Sequence, residues 1–288
     1  MVRGMIYALL ANLLFGVTYY FSILLRPLSG ESMFALRIIV LIPVIFFAVF
    51  LFKQQTQFKA LFQKLAQQPF LIFVLLLLAL NTGIQLWLFL WAANHGQGIP
   101  LSVGYLLLPL MAVFFGKVVF KEHFSRLKWL ALFFAVIGVF YNIFAGGSIS
   151  WVTFVAGIGY PAYFTARRYF KINHLPTFVV ELILVLPFAL YYLTQIDFNA
   201  VLAENNNLYI YLCLLGLVSG SAFILFISAN NLLPMNILGL LGYIEPLVML
   251  LISLFIGEQL DTKSYLLLGC LLISISLLTL DNFRPNKR

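Results

Sequence analysis

The sequence predicts an all-helical protein that crosses a membrane many times. Of its 288 residues, 63% are hydrophobic and only 9% are charged, whereas an ordinary soluble domain is about 45–50% apolar and about 25% charged. The hydrophobic residues form runs of about 20, the length of a helix that spans a hydrocarbon core of about 30 Å. The alternating segments of a membrane β-barrel are absent from the sequence. This composition excludes a soluble enzyme, a disulfide-built secreted domain and a disordered chain.

Apolar windows between polar breaks define ten candidate spans in order. We predict spanning helices near 4–25, 32–52, 69–94, 99–120, 127–145, 150–170, 177–194, 207–230, 234–256 and 263–281. The polar segment 53–68, between the second and third spans, carries hydrophobic residues at helical spacing. That pattern predicts an amphipathic helix lying in the headgroup region of the membrane.

The basic residues indicate how the chain is oriented. If the N-terminus is cytoplasmic, 14 of the 17 lysines and arginines fall on the cytoplasmic side. The exceptions are Arg26 and Lys263 in outer loops and Arg37 inside a helix. Because cytoplasmic loops carry the excess of basic residues, both termini are expected in the cytoplasm. The basic residues that set this orientation account for the net charge of +8. The expected partners are therefore membrane lipids, and no nucleic-acid partner is predicted.

The two halves of the chain share an ordered set of matches. Arg37 precedes Pro43 by six residues, and Glu181 precedes Pro187 by six, at an offset of 144. Further along and at an offset of 137, four residues match four others, namely Phe89, Ala92, Asn94 and Pro109 with Phe226, Ala229, Asn231 and Pro246. The order predicts two repeats, 1–145 and 146–288. Because each would hold five spans, the second must be inverted, which is an architecture of secondary transporters.

Several short stretches resemble a known family. The first half, with Trp91–Asn94, Gly104-Tyr105, Pro109 and Glu122, resembles EamA-type drug/metabolite transporters, above all the chloramphenicol-sensitivity (RarD) branch. The second half agrees in order through Tyr163, Arg167-Arg168, Glu181, Leu186-Pro187, Gly216, Gly239, Tyr243-Ile244, Pro246 and Gly257-Glu258. The resemblance implies ten helices as two inverted EamA repeats in a bacterial inner membrane, with alternating-access movement of a small metabolite or drug.

Three positions depart from that resemblance. Lys121 stands where the family has glycine, and Pro100 stands where it has an acidic residue. Glu245 stands where the RarD branch has glycine, although many second EamA repeats carry Glu-Pro there. The resemblance therefore implies no particular substrate.

Glu245 is the ionisable residue nearest the middle of a predicted span. Such a group costs about 2.5–3.5 kcal/mol on insertion scales, so it needs a reason. Beside it, Pro246 leaves a backbone carbonyl without its helical hydrogen bond. A carboxyl group and a loosened backbone at this depth can bind a substrate amine or exchange a proton. The alternative is a protonated glutamate that bonds a neighbouring helix.

Arg37 and Glu181 are predicted to lie at different depths and not to pair. Arg37 lies near the outer end of its span and Glu181 near the inner end, roughly 15–20 Å apart along the membrane normal. We expect Arg37 to contact Glu31 or another outer carboxylate. For Glu181 the candidate partners are Arg167, Arg168 and Lys171. Arg37 and Glu181 can form contacts that hold a gate of the transporter closed, or they can form structural ion pairs. Both alternatives stay open.

Other polar and aromatic side chains recur in the middle of the spans. Together they predict an amphipathic cavity, in which aromatic walls hold apolar groups and a few hydrogen bonds set orientation. Each one alone is better explained by an interhelical hydrogen bond of about 0.6 kcal/mol. The candidate cavity-lining set, besides Glu245, is Tyr19, Asn81, Gln85, Trp91, Asn94, Tyr105, Tyr160, Tyr163, Ser219 and Tyr243.

We therefore expect a secondary transporter that exports a small metabolite, amino acid or drug-like compound. ATP drive is excluded within this chain because no GxxxxGK[ST] loop occurs. The alternative is an intramembrane prenyltransferase or protease, which needs clustered aspartates or HExxH. HExxH is absent, and the aspartates, Asp197, Asp261 and Asp281, stand apart at predicted membrane edges.

No catalytic residue, metal site or cofactor is predicted. The three histidines show no metal-ligand spacing, and Cys213 and Cys270 both lie inside apolar runs. Protons are a candidate coupling ion, with facilitated diffusion as the alternative. The GxxxG pair Gly216 and Gly220 allows close helix packing, which leaves both a monomer and a homodimer open.

Overall fold

The computed structural model describes residues 1–95, 97–122, 124–145, 150–248, 251 and 264–283. Within these ranges the regular secondary structure is helical. The helices in chain order are α1 (Val2–Leu24), α2 (Gly30–Leu51), α3 (Thr56–Gln67), α4 (Phe70–Asn94), α5 (Gly98–Phe120), α6 (Arg126–Ala145), α7 (Trp151–Tyr169), α8 (Leu175–Leu193), α9 (Phe198–Glu204), α10 (Leu208–Leu232), α11 (Met235–Leu241) and α12 (Ser264–Phe283).

Five of the described helices are long and apolar enough to cross a membrane, namely α1, α2, α4, α8 and α10. They contain 19 to 25 residues, which at 1.5 Å per residue corresponds to about 28–38 Å and matches a hydrocarbon core of about 30 Å. The protein is therefore a multi-pass membrane protein. The total of ten spans and the inverted arrangement stay predictions.

Small polar side chains begin several helices where the chain leaves a loop. The Ser29 hydroxyl accepts a hydrogen bond from the Ser32 amide at the start of α2. The Ser150 hydroxyl does the same for Val152 at the start of α7. These caps satisfy backbone N–H groups that have no partner inside the helix, so they set where α2 and α7 begin.

The predicted ninth span is interrupted in the structure. Instead of one helix over 234–256, α11 ends at Leu241 and helical structure resumes over 244–248. Pro246 has no N–H to bond the Gly242 carbonyl four residues earlier, and its ring crowds that carbonyl. The turn between the two helical pieces lies at residues 242–243, which is where this missing bond would be.

The amphipathic segment predicted over 53–68 forms α3. Its Leu61 and Leu65 are buried, while Phe62 is 56% exposed. Lys64 Nζ donates to the Phe170 carbonyl, at the end of α7. The helix is thus attached to the second half of the chain. Its predicted position in the headgroup region stays a prediction.

The helices pack in a pattern that joins the two halves. The most extensive contacts between helices join α1 with α10, α2 with α8 and α10, α4 with α8, α5 with α7 and α11, and α6 with α12. In each of these pairs one helix lies before residue 146 and the other after it. The two halves are therefore interleaved, and the space between them is enclosed by helices from both.

Glycines allow the closest of these contacts. Gly220 of α10 faces Val44 and Leu41 of α2, and Gly83 of α4 faces Val185 of α8. Positions 83 and 220 differ by 137 residues, the offset already seen in the sequence. Small residues let helix backbones approach closely inside a membrane, so both α2 and α8 pack tightly against a helix of the other half.

Replacing Gly104 with alanine is expected to destabilise the contact between α5 and α7. A Cβ atom there would lie 2.7 Å from the Ala156 Cβ and 2.8 Å from the Thr153 carbonyl oxygen. Such overpacking typically costs about 1–3 kcal/mol, which thermal unfolding in detergent would measure. Gly269→Ala in α12 is the control, because a Cβ there meets nothing within 4 Å. Equal melting temperatures for the two variants would refute this expectation.

Candidate functional site

A buried ionic cluster connects α7, α8 and α4. Arg167 Nη1 lies 3.7 Å from Glu181 Oε2, and both side chains are at most 1% exposed. The Tyr163 hydroxyl donates a hydrogen bond to Glu181 Oε2. Thr82 Oγ1 donates a second hydrogen bond to the same oxygen at 3.1 Å. Of the three basic residues that the sequence offers as partners for Glu181, Arg167 is the one in contact.

The same arginine is held from two further sides. Its Nη1 donates to the Tyr163 hydroxyl, and its Nη2 donates to the His174 carbonyl at 2.7 Å. Burial, followed by the positive charges of Arg167 and Lys64, lowers the pKa of the His174 side chain in the loop before α8. The imidazole is therefore neutral at pH 7 and adds no further positive charge to the cluster.

Arg37 lies in a different environment from the one predicted. Its guanidinium is buried, at 3% exposure, and donates to Ser219 Oγ from Nε at 3.1 Å and from Nη2 at 2.9 Å. The expected contact with Glu31 is wrong. Six residues apart on a helix of 3.6 residues per turn, the two side chains face different directions, and Arg37 faces α10.

The surroundings of Arg37 and Glu181 correspond in position. Arg37 bonds the hydroxyl of Ser219, and Glu181 bonds the hydroxyl of Thr82. Positions 37 and 181 differ by 144 residues, and positions 82 and 219 by 137. In each half, a charged residue of one helix therefore bonds a hydroxyl at the matching position of the other half.

A narrow cavity of about 40 Å³ lies between the two halves. Glu245 supplies a carboxyl group to its wall, and Asn12 adds an amide. Aromatic rings supply much of the remaining surface. The rings are Phe15, Tyr160, Phe164, Phe223 and Phe226. An aromatic wall with few polar groups is typical of a site for an amphipathic small molecule.

Of the predicted cavity-lining residues, Tyr160 and Glu245 lie on this cavity. Tyr105 is 3% exposed and contacts the Tyr160 ring with a centroid separation of 6.3 Å. Tyr19 packs edge-on against Phe89 at 6.0 Å. These tyrosines extend the aromatic wall into the surrounding core.

Asn81 and Gln85 bind α7 instead of lining the cavity. Asn81 Nδ2 donates to the Gly159 carbonyl at 3.3 Å, and Gln85 Nε2 donates to the Val155 carbonyl at 2.6 Å. A Cβ at position 159 would lie 2.0 Å from Gln85 Nε2, so the glycine leaves the room that this amide occupies. Both amides act as interhelical contacts between α4 and α7.

Trp91, Tyr243, Tyr163 and Ser219 are not among the residues that line this cavity. Trp91 stacks on His95 at the end of α4, with ring centroids 4.4 Å apart. Tyr243 is buried in a small core formed with α5 and α6. Tyr163 and Ser219 belong to the two polar clusters described above. The side chain of Asn94 lies outside the described residues.

Sequence reasoning missed the phenylalanines of the wall and Asn12. Phe223, for example, stands in a continuous apolar run of α10, where nothing distinguishes a cavity-facing ring from a lipid-facing one. Asn12 did carry a signal, because it is an amide inside the apolar run of α1. Its Nδ2 donates to the Ala8 carbonyl at 2.7 Å, which satisfies that donor inside its own helix.

Glu122 connects the end of α5 to the start of α11. Its carboxylate accepts hydrogen bonds from the amides of Met235 at 2.6 Å and Asn236 at 2.9 Å. The preceding Lys121 has a φ of 52°, a left-handed conformation that glycine adopts without steric cost. The resemblance to the EamA family predicts glycine at this position. Here a lysine adopts the left-handed conformation, which is unfavourable for a residue with a side chain.

Glu122→Gln is expected to weaken this connection between the two halves. A neutral amide has one acceptor oxygen in place of two charged ones, so one of the two backbone amides loses its partner. Loss of a side-chain hydrogen bond to an amide at the start of a helix costs about 1–2 kcal/mol. Thermal unfolding in detergent would measure this loss of stability. Glu204→Gln, at the exposed end of α9, is the control. If the Glu122→Gln protein is as stable as that control, the hydrogen bonds from α11 to Glu122 do not contribute the expected stability.

Metal-binding side chains do not cluster in the part of the chain that the structure describes. No group of three or more histidine, cysteine, aspartate or glutamate residues is close enough there to hold an ion. The polar chemistry available at the cavity is therefore that of Glu245, Asn12 and the tyrosine hydroxyl of Tyr160.

Comparisons with known proteins agree with this architecture. The EamA-like transporter family matches residues 2–144. The chain is 48% identical over 288 residues to an uncharacterized transporter of Pasteurella multocida, covering 100% of this chain and 99% of that protein. It is 34% identical over 258 residues to the chloramphenicol-sensitive protein RarD of Pseudomonas aeruginosa, covering 89% and 86%.

A crystal structure of a protein at 16% identity also matches the fold. It covers 97% of this chain and 97% of its own, with a TM-score of 0.68. At this identity the likeness concerns the fold alone.

Proposed function

The chain belongs to the EamA-like transporter family, and we propose that it is a secondary transporter that works by alternating access between two inverted five-helix repeats. It is a multi-pass bacterial membrane transporter. Within that class, we propose residues 1–145 and 146–288 as the repeats. The proposed cargo is a small amphipathic metabolite, amino acid or drug-like compound, and the proposed direction is export.

The matched polar contacts support the inverted repeats. A two-fold axis in the membrane plane would exchange α2 with α8 and α4 with α10. It would therefore exchange the Arg37–Ser219 contact with the Glu181–Thr82 contact, and both occur. The close approach of Gly220 to α2 and that of Gly83 to α8 would exchange in the same way.

The helix pairs support the same axis. Helices that correspond in the two repeats, such as α2 and α8, α5 and α11, or α6 and α12, pack against each other. A two-fold axis passing between the repeats brings corresponding elements together in this way. Secondary transporters with inverted repeats bind their cargo near this axis, and the cavity is walled by α1 and α5 from the first half and by α7, α10 and α11 from the second.

The size of the cavity favours a closed state. Its volume of about 40 Å³ is far below the 300–1,000 Å³ typical of pockets that hold a drug-sized ligand. Transport of such a molecule thus requires the helices around the cavity to separate on one side at a time. Glu122, which connects the end of α5 to α11, is placed to hold one side shut.

The proposed orientation follows from the charges. With 14 of 17 basic residues on one side, we place both termini in the cytoplasm of a bacterium, with the spans in its inner membrane. Protons are the proposed coupling ion because Glu245 presents a carboxyl group to the cavity. Membrane lipids and the transported solute are the proposed partners.

Transport by the purified protein tests this function. Amino acids, amines and polar lipids would first be screened for thermal stabilisation, and the compounds that stabilise would be loaded into liposomes. We expect movement that needs no ATP and that speeds up when a pH gradient is imposed. A protein that moves none of the screened compounds in either condition would contradict the proposal.

A further inference from the structure

Arg37 is a buried positive charge without a carboxylate in contact. It lies two turns inside α2 and is 3% exposed. A guanidinium at this depth is expensive unless it is paired or has a functional task. Among the residues that the structure describes, the single ion pair within 4 Å is that of Arg167 with Glu181. Arg37 therefore has no such partner in that part of the chain.

The hydrogen bonds of Arg37 leave donors unused. Nε and Nη2 both donate to one hydroxyl, Ser219 Oγ, and the Phe89 ring lies 5.5 Å from the guanidinium carbon. A guanidinium carries five N–H groups in a planar fork that fits a carboxylate. The remaining N–H groups can thus donate to a second, anionic partner alongside Ser219.

The other fully buried arginine supplies a comparison within the same molecule. Arg167 is equally inaccessible, yet it contacts the Glu181 carboxylate and donates to the Tyr163 hydroxyl and the His174 carbonyl. The carboxylate offsets its charge, although its Nε has no hydrogen-bond partner. Arg37 has one neutral oxygen in place of that carboxylate, so a purely structural role explains Arg167 much better than it explains Arg37.

The position of Arg37 connects it to the cavity. The Phe89 ring against its guanidinium contacts Tyr105 at a centroid separation of 5.8 Å. Tyr105 in turn contacts Tyr160, which lines the cavity wall together with Glu245. The cavity thus has a carboxyl group on its wall and a guanidinium nearby. This arrangement complements a small molecule that carries both a negative and a positive group.

From this arrangement we propose that Arg37, together with Ser219, binds the carboxylate of the transported solute. The solute is then a small zwitterion of the amino-acid class, whose amine faces Glu245 and whose apolar side chain contacts the aromatic wall. This inference rests on the proposed transport function. It adds the requirement that a molecule without the acidic group is a poor ligand.

Binding of matched pairs of probes to the purified full-length protein tests the carboxylate site. The probes are alanine, leucine and phenylalanine, each compared with its own amide, which keeps the amine and the side chain but lacks the carboxylate. We expect at least one amino acid to bind at least about tenfold more tightly than its amide. The Arg37→Gln protein is expected to lose this preference.

Three further variants separate folding from recognition. Arg37→Lys keeps the charge without the fork, and Ser219→Ala keeps the arginine but removes its hydroxyl partner, so both should bind the preferred amino acid more weakly than the wild type. Arg26→Gln removes an exposed arginine and should bind like the wild type. If Arg37→Gln fails to fold, Arg37→Lys and Ser219→Ala still report on the site.

The outcomes distinguish this inference from the transport function. Equal affinity of the acids and their amides, or absence of binding by every acid, overturns the carboxylate site. If wild-type protein in liposomes then moves an amine or amide, the transport function stands while this inference fails. If the acids bind with the expected preference and nothing is transported, the site stands and the transport function fails.

Discussion

Replacing Glu181 with glutamine is expected to cost about 3–5 kcal/mol of stability, the typical effect of removing one partner of a buried ion pair. Arg167 would keep its charge with 1% of its side chain exposed and without the carboxylate that now lies 3.7 Å away. Tyr163 and Thr82 would donate to a neutral amide in place of a carboxylate. Chemical unfolding in detergent would measure the loss.

A double-mutant cycle makes this expectation specific to the pair. Arg167→Gln alone should also be strongly destabilising, because it strands Glu181. The double variant Arg167→Gln/Glu181→Gln leaves no buried charge behind, so its loss should fall short of the sum of the single losses by at least about 1 kcal/mol. Arg26→Gln serves as the exposed control. Additive single effects would mean that the two charges do not stabilise each other.

Glu245→Gln is expected to abolish the response of transport to a pH gradient. The substitution preserves the size of the side chain and one acceptor oxygen but removes the group that can take up and release a proton. Carboxyl groups inside membrane transporters act as proton relays, and this one lines the cavity between the halves. Gradient-driven transport in liposomes should fall by about tenfold or more, while exchange without a gradient should persist.

The matched control for this prediction is Glu204→Gln. That carboxyl group lies at the exposed end of α9 and does not line the cavity, so the variant should respond to the gradient like the wild type. Wild-type behaviour of Glu245→Gln under the same gradient would remove Glu245 from the coupling mechanism. Facilitated diffusion would then be the better account of transport.

The sequence predicted most helix boundaries to within a few residues because membrane spans are read from length and hydrophobicity alone. The break between α11 and 244–248 was missed, although Pro246 carries its physical cause. The short helix α9 was missed as well. Its seven residues have no apolar run, and Asp197, whose side chain accepts from the amides of Asn199 and Ala200, is its main signal.

Polar contacts between side chains could be predicted only where the partners are close along the chain. Arg167 and Glu181 lie on consecutive helices, so their contact follows from the loop between them. Arg37 contacts Ser219, which is 182 residues away, and that contact depends on which helix packs against α2. The phenylalanines of the cavity wall could not be recognised, because in an apolar span hydrophobicity does not tell a cavity face from a lipid face.

The most direct test of alternating access measures distances at both ends of the bundle in one protein sample. Spin labels would be placed on cysteines replacing the exposed residues Lys117 and Tyr169 at one end, and His95 and Asn207 at the other, after removal of Cys213 and Cys270. Pulsed electron spin resonance would follow each pair with and without a transported compound. Alternating access predicts that one distance lengthens while the other shortens. Distances that stay fixed, or that lengthen together, would contradict it.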